Sequence, residues 1–266
     1  MTRMSVNPTA ALPPVKLFLL PPSILRSGYG VSWLAYVGMA EQRRAAEFTH
    51  PGDAMTYAAQ QTLMRCMAAS VLGVKPTAAA EIPVDRTCRL CASYAEHGKP
   101  RINGVNLNMS RTTGMTVGGF TPATDILLGI DLERLRGSLH NSLDRVALAD
   151  PEKDLLATAP ENHQALLRTL LWSAKESVLK ATGHGLSVDP RAVVITPHHT
   201  QQGQDALPYT RASARFTTPA GERYDFEVQW FVQGEYYISV ATSAPVTVSL
   251  HPVTTPKMVR EILGTS

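Results

Sequence analysis

Hydrophobic and polar positions repeat with two different periods along the chain. Tyr224, Phe226, Val228 and Trp230 alternate with Asp225, Glu227 and Gln229. That period of two belongs to a strand with one buried face. "PAGE" and "QGE" interrupt the stretch 211–243 with turn residues, so it reads as a meander of antiparallel strands. Two other stretches carry the helical period. One runs from Asp53 to Val74, with Asp53 as a plausible N-cap, Met64, Met67 and Val71 as core, and Gly73 near the end. The other covers residues 162–182. On a wheel of about 100° per residue, Leu167, Leu171, Ala174, Val178 and Ala181 fall within roughly 40° of one direction. "TDILLGIDLERL" (124–135) is an apolar run ending in charges, as in a buried strand that emerges into solvent.

Each half of the chain thus offers one long helix and some strands. Local helices beside antiparallel strands predict an α+β fold. We expect two similar subdomains, each a long helix packed on a small antiparallel sheet, with the active site in the cleft between them. The boundary is expected near residue 126, giving subdomains 1–125 and 126–266. Residues 1 to about 15 are expected to be frayed, and "TPHHTQQGQDALP" (196–208) to be an exposed loop.

Composition narrows the picture. The 266 residues are 44% hydrophobic and 18% charged, enough for a real core and too ordered a mixture for global disorder. A net charge of +3 permits a phosphate-rich ligand without demanding one. No apolar run reaches the ~18 residues of a membrane span. "VKLFLLPPSIL" is a poor signal peptide, being interrupted by Lys16 and by Pro21 and Pro22. Three cysteines do not form a disulfide framework, so a reducing cytoplasm is the expected compartment.

The candidate chemistry sits in "LWSAKESVLKATGHGL" (171–186). Glu176 lies about 180° and Lys180 about 220° from the core stripe, one turn apart, with Trp172 a turn earlier on the same side. Lys175 falls at the stripe's edge. The plain interpretation is a solvated i,i+4 ion pair. "GIDLE" (129–133) adds Asp131 and Glu133, which face the same way on a strand while Ile130 and Leu132 face a core. Two such acids repel unless a cation or proton intervenes. With a third acid from the helix they suit Mg²⁺, which keeps waters and completes its shell from phosphate.

These residues resemble the surfactin-type 4′-phosphopantetheinyl transferases. "GIDLE" followed by "WSAKESVLKATGHGL" is similar to that family's two signature motifs, "HGKPRI" (97–102) to its Gly-Lys-Pro element, and "LNMSR" (107–111) to its Asn-x-Ser-His element. The resemblance implies transfer of the 4′-phosphopantetheine arm of coenzyme A to a serine of an apo acyl or peptidyl carrier protein, with release of 3′,5′-ADP. It implies Mg²⁺ on Asp131, Glu133 and Glu176, with Glu176 also as base, and Lys180 stabilising the leaving group. Coenzyme A is expected to meet Lys99, Pro100, Ser110, Arg111, Lys175 and Lys180, with Arg43 or Arg44 on its 3′-phosphate. The enzyme is expected to be monomeric, with no membrane or nucleic-acid partner.

Two positions depart from the family pattern. Arg111 stands where a histidine is usual, and Thr56 or Tyr57 where an arginine is usual. "CRLC" (Cys88, Cys91) has zinc-knuckle spacing, with Cys66 and His97 as the only obvious further ligands. His184 and other lone histidines read as surface residues. The rival reading is a non-catalytic phosphate- or nucleic-acid-binding module with a zinc site. The absence of a Lys/Arg stripe with interleaved aromatics counts against it.

Overall fold

The computed structural model describes residues 11–26, 36–88, 90, 98–134, 141–199 and 209–262. In chain order the elements are β1 (Pro14–Leu20), α1 (Ser23–Arg26), α2 (Met39–Ala46), α3 (Pro51–Leu72), β2 (Asn106–Thr112), β3 (Met115–Thr121), β4 (Leu128–Arg134), α4 (Asn141–Ala147), α5 (Asp150–Thr158) and α6 (Glu161–Thr182). There follow β5 (Val193–His199), β6 (Tyr209–Thr217), β7 (Arg223–Gln233), β8 (Tyr236–Thr242), β9 (Thr247–Pro252) and α7 (Pro256–Ile262). One sheet has the order β2-β3-β1-β9 and the other β4-β8-β7-β6-β5. The class is α+β, with α3 packed on the first sheet and α6 on the second.

Strand alternation builds three cores. In β1, Val15, Leu17 and Leu19 enter a core shared by the two sheets, while Leu20 faces α3. From β4, Leu128, Ile130 and Leu132 enter the shared core. Ala212, Ala214, Phe216, Phe226, Val228 and Trp230 from β6 and β7 pack under α6 against Leu167, Leu171, Ala174, Val178 and Ala181. The helical stripe and the strand face of the sequence reading are therefore two sides of one core. Both long helices end on glycine in the left-handed region, Gly73 at φ 63° and Gly183 at φ 81°, where an L side chain would be strained.

Several expectations need correction. The N-cap of α3 is His50, with Pro51 at the first turn, and Asp53 is an acidic first-turn residue. The fixed φ of Pro51 starts the helix earlier than the capping rule suggested. Val71 is 36% exposed, while Met64 and Met67 are fully buried. Pro14 and Val15 belong to β1, not to a frayed end. Thr196 to His199 belong to β5, paired with β6, while 200–208 lie outside the described residues.

Strands β1 to β3 lie in one sheet and β4 to β8 in the other. The chain then returns: β9 pairs parallel with β1, from Pro14 with Thr247 to Leu19 with Pro252. Val259 and Ile262 of α7 join the core around α3. A subdomain ending at 125 would leave the β1 edge unpaired, and the C-terminal segment closes it. Among the described residues, no helix is long and apolar enough to cross a membrane.

Candidate active site

The two halves meet where β2 runs beside β4 and β4 packs on α6. Gly129 makes the second contact possible: a Cβ there would lie 1.8 Å from the Ser177 carbonyl oxygen and 2.6 Å from the Ala181 nitrogen. Any side chain would push the strand off the helix. Asn108 makes the first contact. Its Oδ1 accepts from the Ile130 amide at 3.0 Å, and its Nδ2 is 3.5 Å from the Lys180 carbonyl. Asn106 donates to the Ala123 and Ile126 carbonyls, both at 2.7 Å. Two side chains thus replace a backbone ladder between the sheets.

This docking assembles the acids and the lysine. Lys180 Nζ donates to Asp131 Oδ1 at 2.5 Å and to Ser110 Oγ at 2.7 Å, and Ser110 Oγ donates to Asp131 Oδ1 at 3.0 Å. Asp131 is only 3% exposed. Trp172 Nε1 donates to Glu133 Oε1 at 3.1 Å. Burial pushes Glu133 up to about 7, reinforced by Asp131 and Glu176 and opposed by Lys180 and by the Trp172 hydrogen bond. Glu176 is raised as well, first by burial and then by Asp131, against the pull of Lys180. A charged carboxylate is costly where water is excluded and other carboxylates are near. The pair on α6 is therefore not a solvated one: Glu176 is half-buried, and Lys180 is bound to Asp131 rather than to Glu176.

The residues suit a divalent cation in kind. Asp131 Oδ2 and Glu176 Oε1 are buried and have no hydrogen-bond partner, and orphaned carboxylate oxygens are what a hard cation takes. No set of three His, Cys, Asp or Glu among the described residues closes into a cage around one point. At Asp131 the Lys180 ammonium holds one of the two oxygens.

A cavity of about 500 Å³ opens beside this cluster, walled by Gly98–Pro100, Leu107–Met109, Leu179–Lys180 and Gly183–Gly185. Lys99 contributes its stem, because its ammonium is committed elsewhere. It donates to the Leu128 carbonyl at 3.1 Å and the Ala181 carbonyl at 3.0 Å. It thereby satisfies a last-turn carbonyl of α6 and ties the loop to both elements. Burial holds its pKa down to about 8. His184 also lines this cavity; it is half-buried, edge-on to Phe216 at 5.1 Å, with Nδ1 buried and unpartnered, and is no surface residue. A second cavity of about 500 Å³ adjoins the first across Met109 and Lys180 and reaches Ser110 and Arg111.

Other expected residues lie apart. Lys175 is fully buried on a different side of α6, in an ion pair with Glu152 at 2.7 Å, and donates to the Pro190 carbonyl at 3.2 Å and to that of Val193. Its ammonium has no surface to offer coenzyme A. Glu152 also accepts from the Ala149 and Ile195 amides, so the pair ties α5, α6 and β5 together. Arg43 and Arg44 are exposed on α2, and Arg44 pairs with Glu47 at 2.5 Å. Cys66 is buried in α3 and cannot reach a zinc ion without unfolding it. Cys91 and His97 lie outside the described residues. Sequence reasoning missed the roles of Asn108 and Lys99, whose partners are carbonyls and amides that no side-chain pattern announces.

Residues 127–241, from the start of β4 into β8, match the 4′-phosphopantetheinyl transferase superfamily. The chain is similar to the 4′-phosphopantetheinyl transferase HetI of Nostoc sp., 26% identical over 174 residues, covering 62% of this chain and 68% of that protein. It is also similar to the L-aminoadipate-semialdehyde dehydrogenase-phosphopantetheinyl transferase of Schizosaccharomyces pombe, 32% identical over 74 residues, 27% of this chain and 29% of that protein.

Proposed function

We propose that this chain, a 4′-phosphopantetheinyl transferase by the superfamily domain at residues 127–241, moves the 4′-phosphopantetheine arm of coenzyme A onto a serine of an apo acyl or peptidyl carrier protein. The observation that carries this reading is the convergence of Asp131, Glu133, Glu176, Lys180 and Ser110, with Ser110 and Lys180 on the wall of a cavity. The motifs at Gly98–Pro100 and Asn108–Arg111 support the surfactin-type branch of the superfamily.

Asp131, Glu133 and Glu176 would hold Mg²⁺, which when bound would neutralise the coenzyme A diphosphate. Phosphoryl transfer depends on in-line positioning and charge neutralisation more than on covalent help. Burial has already raised Glu176, which suits a carboxylate that must take a proton from a serine hydroxyl. The serine oxygen then attacks the phosphorus next to the pantetheine. A phosphoester bond forms, the bond from that phosphorus to the bridging oxygen breaks, and 3′,5′-ADP leaves with the electron pair. Lys180 exchanges Asp131 for the diphosphate and balances the charge that grows on the departing oxygen. Pro100 and the Lys99 stem form the wall along which the adenine lies.

The test is direct. The purified chain is incubated with coenzyme A, Mg²⁺ and an apo carrier protein, and the carrier is weighed by mass spectrometry. The expected product is the carrier plus one phosphopantetheine group on serine, with one 3′,5′-ADP released per transfer. A carrier of unchanged mass across acyl and peptidyl types would overturn the reading.

A further inference from the structure

β4 carries Asp131 and Glu133, and it is an edge strand of its sheet, paired there with β8 on one side only. The other edge of such a strand needs partners for its backbone groups. Two side chains from the first half of the chain supply them. Lys99 Nζ donates to the Leu128 carbonyl, and Asn108 Oδ1 accepts from the Ile130 amide. Each also reaches a carbonyl in the last turn of α6: Lys99 that of Ala181 at 3.0 Å, Asn108 that of Lys180 at 3.5 Å. The two bridges flank Gly129, the residue at which strand and helix touch.

The Asn108 bridge is the one beside the chemistry. The amide it accepts from precedes Asp131, and the carbonyl it faces belongs to Lys180. Two residues further along β2, Ser110 Oγ bonds the side chains of that same pair, 3.0 Å from Asp131 Oδ1 and 2.7 Å from Lys180 Nζ. Residues i and i+2 of a strand lie on one face. Asn108 therefore holds the backbone of the two neighbours whose side chains Ser110 holds. Gly119 stands opposite Asn108 in the β2–β3 ladder, where a Cβ would lie 2.8 Å from Ile130 Cδ1, so its bare backbone lets β4 come close enough for the amide bond. Asn108 borders the first cavity but is only 5% exposed, which leaves it little surface for a ligand.

We propose that Asn108 is a positioning residue for the transfer: its amide fixes the register of β2 on β4 and α6, and that register puts Ser110 on Asp131 and Lys180. The inference rests on the transferase reading above. It gives Asn108 no contact with coenzyme A or carrier. A slip of β2 by one residue would turn Ser110 to the other face of the strand, and a tilt that breaks the bond to the Ile130 amide would draw Ser110 away from both partners.

The experiment measures kcat and KM for transfer to the apo carrier, and coenzyme A binding by calorimetry. Asn108→Ala should lower kcat by about ten- to a hundredfold, the cost of displacing a site by about an ångström. The Kd for coenzyme A should stay within about threefold of the parent. Ser110→Ala added to Asn108→Ala should lower kcat by less than about twofold more, since Ser110 is already out of register. A second readout needs no turnover. In urea denaturation, Ser110→Ala and Lys180→Met should be coupled in the parent and uncoupled once Asn108 is replaced by alanine. Should the alanine variant fail to fold, Asn108→Ser answers instead: its hydroxyl is too short to reach the Ile130 amide directly but can hold a bridging water, and it should show the same losses. A raised Kd for coenzyme A with kcat intact would make Asn108 a ligand contact and overturn the proposal. So would independent effects of Asn108 and Ser110 on kcat, or a Ser110–Lys180 coupling that survives without Asn108. A parent that transfers nothing, while that coupling depends on Asn108, would sink the enzymatic reading and leave the register standing.

Discussion

Lys180 Nζ lies 2.5 Å from Asp131 Oδ1, so in the ligand-free protein the lysine of α6 holds the first acid of β4. In the proposed mechanism each would take a second role, Lys180 facing the diphosphate and Asp131 a cation. The pair satisfies the ammonium and one carboxylate oxygen of Asp131, and leaves its Oδ2 without a partner.

A double-mutant cycle on Asp131→Asn and Lys180→Met follows from that contact. In the absence of ligands the coupling should be stabilising, on the order of 1 kcal/mol, because Asp131 is buried and Lys180 is partly exposed. Urea denaturation of the four proteins measures it. Additive single effects would show that the pair is not formed in solution. With coenzyme A present, Lys180→Met should lower kcat by about a hundredfold or more while raising the KM for carrier protein little.

Glu176→Gln is expected to abolish transfer while the fold survives. The residue is half-buried, and its Oε1 has no partner that the amide would lose. Loss of a general base costs roughly a hundred- to ten-thousandfold, and loss of a cation ligand adds to this. Thermal melting should stay within a few degrees of the parent, about the shift that 1 kcal/mol produces in a chain of this size. Near-parental turnover would remove Glu176 from both roles.

The pH dependence of the metal-free protein should carry the mark of Glu133. Its carboxyl titrates near 7 when folded against an ordinary 4.5. Between those values the folded protein binds more protons than the unfolded chain, so stability falls as pH rises. The contribution is fully present below pH 4.5 and is lost as pH climbs through 7. Melting curves in EDTA should therefore shift downward from pH 5 to 7.5, and Glu133→Gln should flatten that slope. Added Mg²⁺ should raise Tm more at pH 7.5 than at pH 5.5, where protons compete for the same oxygens. Equal Mg²⁺ shifts at both pH values would argue against this carboxyl as a ligand.

Lys175→Met separates structural from ligand-binding lysines. It leaves Glu152 as an unpaired charge in a site with no exposure on either partner, a change that costs about 3–5 kcal/mol. Tm should fall steeply. At low temperature the fraction that remains folded should keep the parental KM for coenzyme A, since the Lys175 ammonium lies among Glu152 and the carbonyls of Pro190 and Val193. A raised KM in the folded fraction would return Lys175 to the binding site.

Much of this was legible in the chain because it depends on neighbours close in sequence. The period of two fixed which residues of β6 and β7 turn to the core, and the helical period fixed the buried stripe of α6. The same geometry places Asp131 beside Glu133 and Glu176 beside Lys180, since i,i+2 on a strand and i,i+4 on a helix are determined by backbone pitch alone. What the backbone pitch leaves open is which surface each face meets. Lys175, at the edge of the stripe, goes to Glu152 because α5 and β5 close over it. Lys99 goes to the carbonyls of β4 and α6 because Gly129 lets strand and helix touch. Arg111 finds Phe48 and Tyr57 because α3 packs across β2. The β1 edge, likewise, is closed by a strand from the far end of the chain. These partners are distant in sequence, and the competition among surfaces for burial and for hydrogen bonds selects them only when the whole chain has folded.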